Sequence, residues 1–183
     1  MLLQAYQERW PADFQAIAQV LRAALPGLPC VAEHVGSTAV PGLAAKPIID
    51  LDLLYSPPVT LPQVAAGLAA IGYAHVGDQG IPGRDVFKRV PLGLPHPVLD
   101  RVKHHLYVCA DDSREWHRHR VFRDYLRRHA DARQQYEALK MRLAAEAGQD
   151  QRRYAELKQT RAQGFVARVL RQASGVASDL PRA

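Results

Sequence analysis

His34-Val35-Gly36-Ser37-Thr38-Ala39-Val40-Pro41-Gly42-Leu43-Ala44-Ala45-Lys46-Pro47-Ile48-Ile49-Asp50-Leu51-Asp52-Leu53-Leu54 is the stretch from which the fold of this chain is read. An apolar run stops at a Gly-Ser turn. A short Gly/Pro-rich connection follows, then an Ile/Leu strand carrying two aspartates two positions apart. Residues i and i+2 of a strand share a face. Asp50 and Asp52 therefore stand side by side, with Ile49, Leu51 and Leu53 on the other face. Adjacent carboxylates repel and are costly to desolvate. A divalent cation removes that cost, and Mg²⁺ or Mn²⁺ carrying a phosphate substrate suits such oxygen pairs. An Asp-x-Asp is also what the wet face of a half-buried sheet looks like. The turn at Gly36-Ser37 tips the balance, because free backbone N–H groups and a hydroxyl receive phosphate oxygens.

Working outward, Arg9 to Leu25 reads as a helix, with Phe14, Ile17, Ala18, Leu21 and Leu25 at helical spacing and Pro26-Gly27 ending it. Strands are expected at 30–35, 48–55, 73–76, 85–90 and 104–110, and an Ala/Leu helix at 61–71. A short helical turn is expected to start at Ser37 or Thr38. The glycine-rich segment from Gly77 to Arg84 reads as a mobile connection, and Pro91 to Pro97 as a hairpin-like loop. From Ser113 the pattern is helical: one helix capped by Ser113 to His129, one over 130–147, and one from Asp150 to about Leu170. Strands first and helices last predict an α+β domain with a mixed sheet. One domain over residues 1–172 is expected, with 173–183 as a flexible tail.

The chain has 183 residues, 48% apolar, and a formal net charge of +6. No apolar run approaches the ~18 residues of a membrane span. Residues Met1 to Arg9 lack a signal-peptide layout, so a cytoplasmic location is expected. Cys30 and Cys109 sit in apolar runs without metal spacing and read as reduced core residues. The basic balance favours anionic partners such as nucleotides or acidic metabolites. Most of the 24 Lys and Arg lie at or after Arg101, in amphipathic helices where solvation accounts for many of them. Nucleic acid is therefore a possible partner and not the favoured one, and no membrane partner is expected. No P-loop or serine-hydrolase elbow is present.

The run from Glu33 to Asp52 resembles the signature of the GrpB family, placed in the nucleotidyltransferase superfamily. Val35-Gly36-Ser37 and Asp50-Leu51-Asp52 match the superfamily's pattern of an apolar residue, Gly and Ser, then paired acids on the next strand. Tyr6, Arg9-Trp10-Pro11 and Phe14 match the family's entry helix. Phe122 to Arg127, Tyr136 with Leu139-Lys140, and Tyr154 with Lys158 match its C-terminal helices. The resemblance implies a nucleotidyltransferase-like mixed β-sheet flanked by helices, with a C-terminal helical segment. It implies Mg²⁺- or Mn²⁺-dependent transfer of a nucleoside monophosphate from a nucleoside triphosphate to an acceptor. The alternative is a non-catalytic domain binding a nucleotide or phosphometabolite. Fusion of such domains to dephospho-CoA kinases hints at a coenzyme A link.

Asp50 and Asp52 are thus the expected metal ligands and, with His105, the expected catalytic residues. Gly36 and Ser37, at a helix N-terminus, with Lys46, Arg84, Arg123 and Lys140, are expected to hold phosphate or nucleotide. Active superfamily members use a third carboxylate on a later strand. The strand at 103–108 has no acid, and where the family reads His-Leu-His this chain has His105-Leu106-Tyr107. Asp85 is one possible substitute. His104 and His105 face opposite sides, and the resemblance favours His105 for the cleft. Tyr136 and Lys140 share one helix face, as do Tyr154 and Lys158. Either pair reads as a packed Tyr beside a snorkelling Lys, or as the basic wall of an anion cleft.

Overall fold

The structure, a computed structural model, describes residues 2–90 and 95–178. Its elements are α1 (Trp10–Ala24), β1 (Val31–Val35), a 3-10 turn (Ser37–Ala39), β2 (Ile49–Tyr55), α2 (Leu61–Ala70), β3 (Tyr73–His75), β4 (Asp85–Arg89), β5 (His104–Ala110), α3 (Arg114–Arg128), α4 (Ala130–Glu146), α5 (Gln151–Arg161) and α6 (Gln163–Ser178). The five strands form one sheet in the order β1-β2-β5-β4-β3. Only β2 and β5 run parallel, and the other neighbours are antiparallel. A parallel pair needs a long crossover. Here α2, β3 and β4 supply it.

The alternation in β2 divides the molecule into two sides. Ile49, Leu51 and Leu53 join Leu106, Val108 and Phe87 on one face, and α1 and α2 cover them through Phe14, Ile17, Leu21, Val64 and Leu68. The register on the opposite face aligns Val35, Asp50 and His105 in one row and Glu33, Asp52, Tyr107 and Val86 in the next. Helix α3 closes that face at one end, where Trp116 packs with Val35, Leu54 and Cys109. Helices α3, α4 and α6 share a second apolar cluster with Val40 and Leu43.

Three expectations change here. The helix expected from Asp150 to about Leu170 is two helices, parted at the buried Ala162. The bend lets Phe165 and Val169 of α6 pack back on the cluster that Leu126 and Tyr136 contribute to, which a straight continuation of α5 would not reach. The tail expected from Ala173 is helical through Ser178, and the remainder lies outside the described residues. Residues 91–94 of the expected 91–97 loop also lie outside them. Asp85 shares the face of Phe87 and pairs with His75 at 2.7 Å, so it does not stand beside the aspartates of β2.

Arg123 is a structural residue in this fold. Its guanidinium donates to Glu33 at 2.8 Å, to the His34 carbonyl at 2.9 Å and to Asp124 at 2.7 Å, tying α3 to β1. Those bonds use its Nε–H and both N–H groups of Nη1, and Arg123 does not line the cavity described below, where the expectation had it holding phosphate. Substitution of Arg123 by Met is expected to lower unfolding free energy by about 2 kcal/mol, discounted from a fully buried pair because Glu33 is one-third exposed. Urea denaturation measures this.

Candidate functional site

A cavity of about 410 Å³ opens between the aspartate face of the sheet and the C-terminal helices. Gly36, Ser37, Lys46, Asp50, Arg84, His105 and Lys140 all line it. Seven of the residues singled out from sequence therefore come together. They arrive from β1 and its turn, the connection to β2, β2 itself, the loop before β4, β5 and α4.

Gly36 has φ 72° and ψ −168°, a region open essentially to glycine alone. The turn lies so close to β2 that a Cβ there would sit 2.3 Å from Asp50 Oδ2. Turn and carboxylate are therefore packed face to face. The helix after it is only three residues long, too short for the helix-terminus field expected at Ser37. A cation stands there in its place: Lys140 Nζ donates to Ser37 Oγ at 3.2 Å and to the Ala44 carbonyl. Lys140 is 1% exposed, and burial, with the charge of Lys158, pushes its ammonium down to about 7. Lys158 also lines the cavity; the Tyr136 and Tyr154 phenols and Asp50 hold its ammonium above its ordinary value against burial. Lys46 lies 5.6 Å from the Tyr154 ring, its ammonium lowered by burial and by Lys158.

Both aspartates are held by imidazoles. His105 Nδ1–H donates to Asp50 Oδ1 at 2.9 Å, and His119 Nδ1–H donates to Asp52 Oδ2 at 2.8 Å. A ring that donates from Nδ1 presents Nε2 as its free base or ligand. Burial pushes Asp50 up, but the His105 hydrogen bond and the charges of His105, Lys158 and His119 outweigh it and hold the carboxyl below its usual value. Asp52 is fully buried, and there burial wins over His119, so its carboxyl is raised. His104 points to the core: Nδ1 donates to the Val102 carbonyl and Nε2 accepts from Tyr73. His105 is the cleft histidine, as expected.

His119 is the site residue that sequence reading missed. It lies on the α3 face that also carries Trp116, Arg123 and Leu126, the buried side of that helix. That phase was the available signal. Tyr107, opposite Asp52 in register, lies under Arg84, whose guanidinium carbon is 4.5 Å from the ring centre. Ser113 caps α3 and donates to the Gly83 carbonyl at 2.8 Å, anchoring the loop that presents Arg84.

The donor set suits a hard divalent cation in one specific way. Asp52 Oδ1 is buried without a hydrogen-bond partner, and Asp50 keeps Oδ2 off the His105 bond. Among the described residues no group of three or more His, Cys, Asp and Glu is placed to hold a metal. One or two carboxylates completed by substrate phosphates is the usual Mg²⁺ arrangement, so Asp50 and Asp52 fit that role only together with a phosphate ligand.

A model of the GrpB protein family matches residues 1–171. A UPF0157 protein of Pseudomonas aeruginosa is 40% identical over 167 residues, 90% of this chain and 64% of its own length. The UPF0157 protein YqkA of Bacillus subtilis is 33% identical over 141 residues, 77% of this chain and 39% of its own length. The chain thus spans less than two thirds of either relative. The crystal structure of GrpB from Enterococcus faecalis superposes with a TM-score of 0.76 at 28% identity, covering 97% of this chain and 99% of that one. Cid1, solved in complex with a UTP analog, shares the fold at a TM-score of 0.52 and 15% identity, covering 78% of this chain and 43% of that one. No helix among the described residues is long and apolar enough to cross a membrane. The sheet order, the paired aspartates behind a Gly-Ser turn and these matches lead to one assignment: the chain belongs to the GrpB family and has a nucleotidyltransferase-like fold.

Proposed function

We propose that this protein binds a nucleoside triphosphate in the cavity and transfers its nucleoside monophosphate to an acceptor hydroxyl. The observation that carries this reading is that Asp50 lines a pocket walled by Lys46, Lys140, Lys158 and Arg84, with Asp52 buried beside it on the same strand face. A divalent cation held by Asp50 and Asp52 would supply neutralisation of the triphosphate charge. Phosphoryl and nucleotidyl transfer rest on positioning and charge neutralisation more than on covalent chemistry by the protein. Ser37 and Lys140 hold the phosphate tail, and Lys46 and Lys158 balance its charge. The acceptor oxygen forms a bond to the α-phosphorus, the α–β bridging P–O bond breaks, and pyrophosphate leaves with the electron pair. The hydroxyl proton passes to His105 Nε2, whose ring Asp50 orients.

A second reading is a binding domain without turnover. It draws on β5, where His105 and Tyr107 stand opposite Asp50 and Asp52 and no third acid is present. Calorimetry with each nucleoside triphosphate, with and without Mg²⁺ or Mn²⁺, tests what the two readings share. Binding that requires the metal and disappears in Asp50→Ala/Asp52→Ala is the expected result. Failure of every triphosphate to bind with either metal would sink both readings. Pyrophosphate release in the presence of candidate acceptors then separates transfer from binding alone.

A further inference from the structure

The ladder between β4 and β5 stops at Phe87–Leu106, although both strands continue. Where the pairing stops, a second cavity of about 700 Å³ opens. It meets the nucleotide cavity along a shared border formed by Ile48, Arg84, His105 and Tyr107. The reacting edge of the site, His105 on Asp50, therefore faces two cavities.

The charge of the second cavity is one-sided. Lys88 and Lys103 line it, and neither ammonium forms an ion pair or hydrogen bond among the described residues. Arg89 is bonded to Asp100, the one acid of the lining. Alternation from Val86, which shares a row with Tyr107, puts Lys88 on the aspartate face. Arg84 stands on the border with Nε buried and without a hydrogen-bond partner, its planar group over Tyr107. An orphaned buried guanidinium atom is costly unless an anion completes it.

We propose that the second cavity is the acceptor subsite, and that the acceptor is a small molecule already carrying a phosphate group. The phosphate lies between Lys88 and Lys103, and Arg84 grips across the border between donor and acceptor. The volume suits a cofactor-sized ligand. A nucleic-acid track would call for a longer run of unpaired cations than Lys88, Lys103 and Arg84 supply, Arg89 being bonded to Asp100. The proposal rests on the nucleotide reading of the first cavity, and its test separates the two.

Binding of ³²P-labelled inorganic phosphate is measured by equilibrium dialysis on the full chain, bare and saturated with α,β-methylene ATP and Mg²⁺. The nucleotide-loaded protein is expected to take up one phosphate. Lys88→Ala/Lys103→Ala weakens that phosphate at least tenfold and leaves the nucleotide in place. Lys46→Ala/Lys158→Ala does the reverse, and Arg84→Ala weakens both. No phosphate uptake by the loaded protein, or unchanged uptake in K88A/K103A, overturns the proposal. So does a short oligonucleotide that displaces the phosphate with steep salt dependence, which would make the groove a nucleic-acid site. If the nucleotide analogue itself does not bind, the first reading fails. The bare protein then decides the second: phosphate lost in K88A/K103A but kept in K46A/K158A supports it, and the opposite pattern overturns it.

Discussion

Gly36→Ala is expected to lower unfolding free energy by about 3 kcal/mol and to abolish nucleotide binding. Two costs coincide at this position. The backbone, at φ 72° and ψ −168°, is strained for any residue with a Cβ. The added carbon would also meet Asp50 Oδ2 at 2.3 Å and Asp50 Cβ at 2.9 Å. Asp50 cannot swing aside cheaply, because its other oxygen is held by His105. The clash therefore moves the carboxylate itself or pushes the turn off β2, and either movement separates the phosphate turn from the acid pair. Gly77 is the internal control: its φ is 77°, but nothing lies within 4 Å of a Cβ there. Gly77→Ala should cost only the backbone term, about 1 kcal/mol. Urea denaturation and triphosphate calorimetry on both variants check this. A Gly36→Ala protein as stable as Gly77→Ala, with nucleotide binding intact, would refute the close-packed turn.

The parts of this site carried by period-2 strands were legible because alternation fixes a face without knowledge of the partner. The shared face of Asp50 and Asp52 and the opposite faces of His104 and His105 follow from it, the resemblance chose His105 between the two histidines, and the ladder register places His105 directly beside Asp50. The parts supplied by the C-terminal helices were harder to read. Lys140 stood out through its resemblance to family positions, while its role depends on Ser37, a residue 103 positions away. Arg123 shows the opposite outcome at a similar separation. Its sequence neighbourhood is basic and helical, like that of a phosphate-binding arginine, but Glu33 lies 90 positions upstream and takes its charge. His119 lies in Arg114-Glu115-Trp116-His117-Arg118-His119-Arg120, where nearly every residue is polar. Only the phase set by Trp116, Arg123 and Leu126 distinguishes it from His117. Helix α5 has Tyr154 as its one buried residue, so no apolar stripe marked where it would end and α6 begin.

The two imidazoles change what the aspartates do before any ligand arrives. A bare acid pair on a sheet would repel and draw protons or water. Here each carboxylate has one oxygen satisfied by an Nδ1–H, which holds the pair in position with the remaining oxygens directed elsewhere. The environments also differ. Asp50 is lowered and partly open to the cavity, whereas Asp52 is raised and fully covered. Asp50 is therefore the side chain that would meet an incoming cation first. Asp52 gains more from it, since a cation would complete a buried oxygen that has no hydrogen-bond partner.

Lys140 should make both stability and ligand binding depend on pH near neutrality. Burial and the Lys158 charge push its ammonium down to about 7 from an ordinary 10.5. The sign follows from linkage. Between those values the unfolded chain holds a proton that the folded chain lacks, so stability rises with pH across that window. Below about 7 both states are protonated and the full penalty of a buried ammonium is present. Lys140→Met should remove this slope, leaving a flatter profile from pH 7 to 10 and a more stable protein at pH 6. An anion in the cavity reverses the balance: a phosphate beside Nζ and Ser37 Oγ favours the charged amine and raises its pKa. Nucleotide binding at pH 8 is therefore expected to take up close to one proton, read as a dependence of calorimetric enthalpy on the buffer's ionisation enthalpy. In Lys140→Met the uptake should vanish and affinity should fall at least tenfold, about 1.4 kcal/mol. A wild-type protein that binds nucleotide with no proton uptake at pH 8 would show that Lys140 does not face the phosphates. The cavity's anion would then be held by Lys46, Lys158 and Arg84.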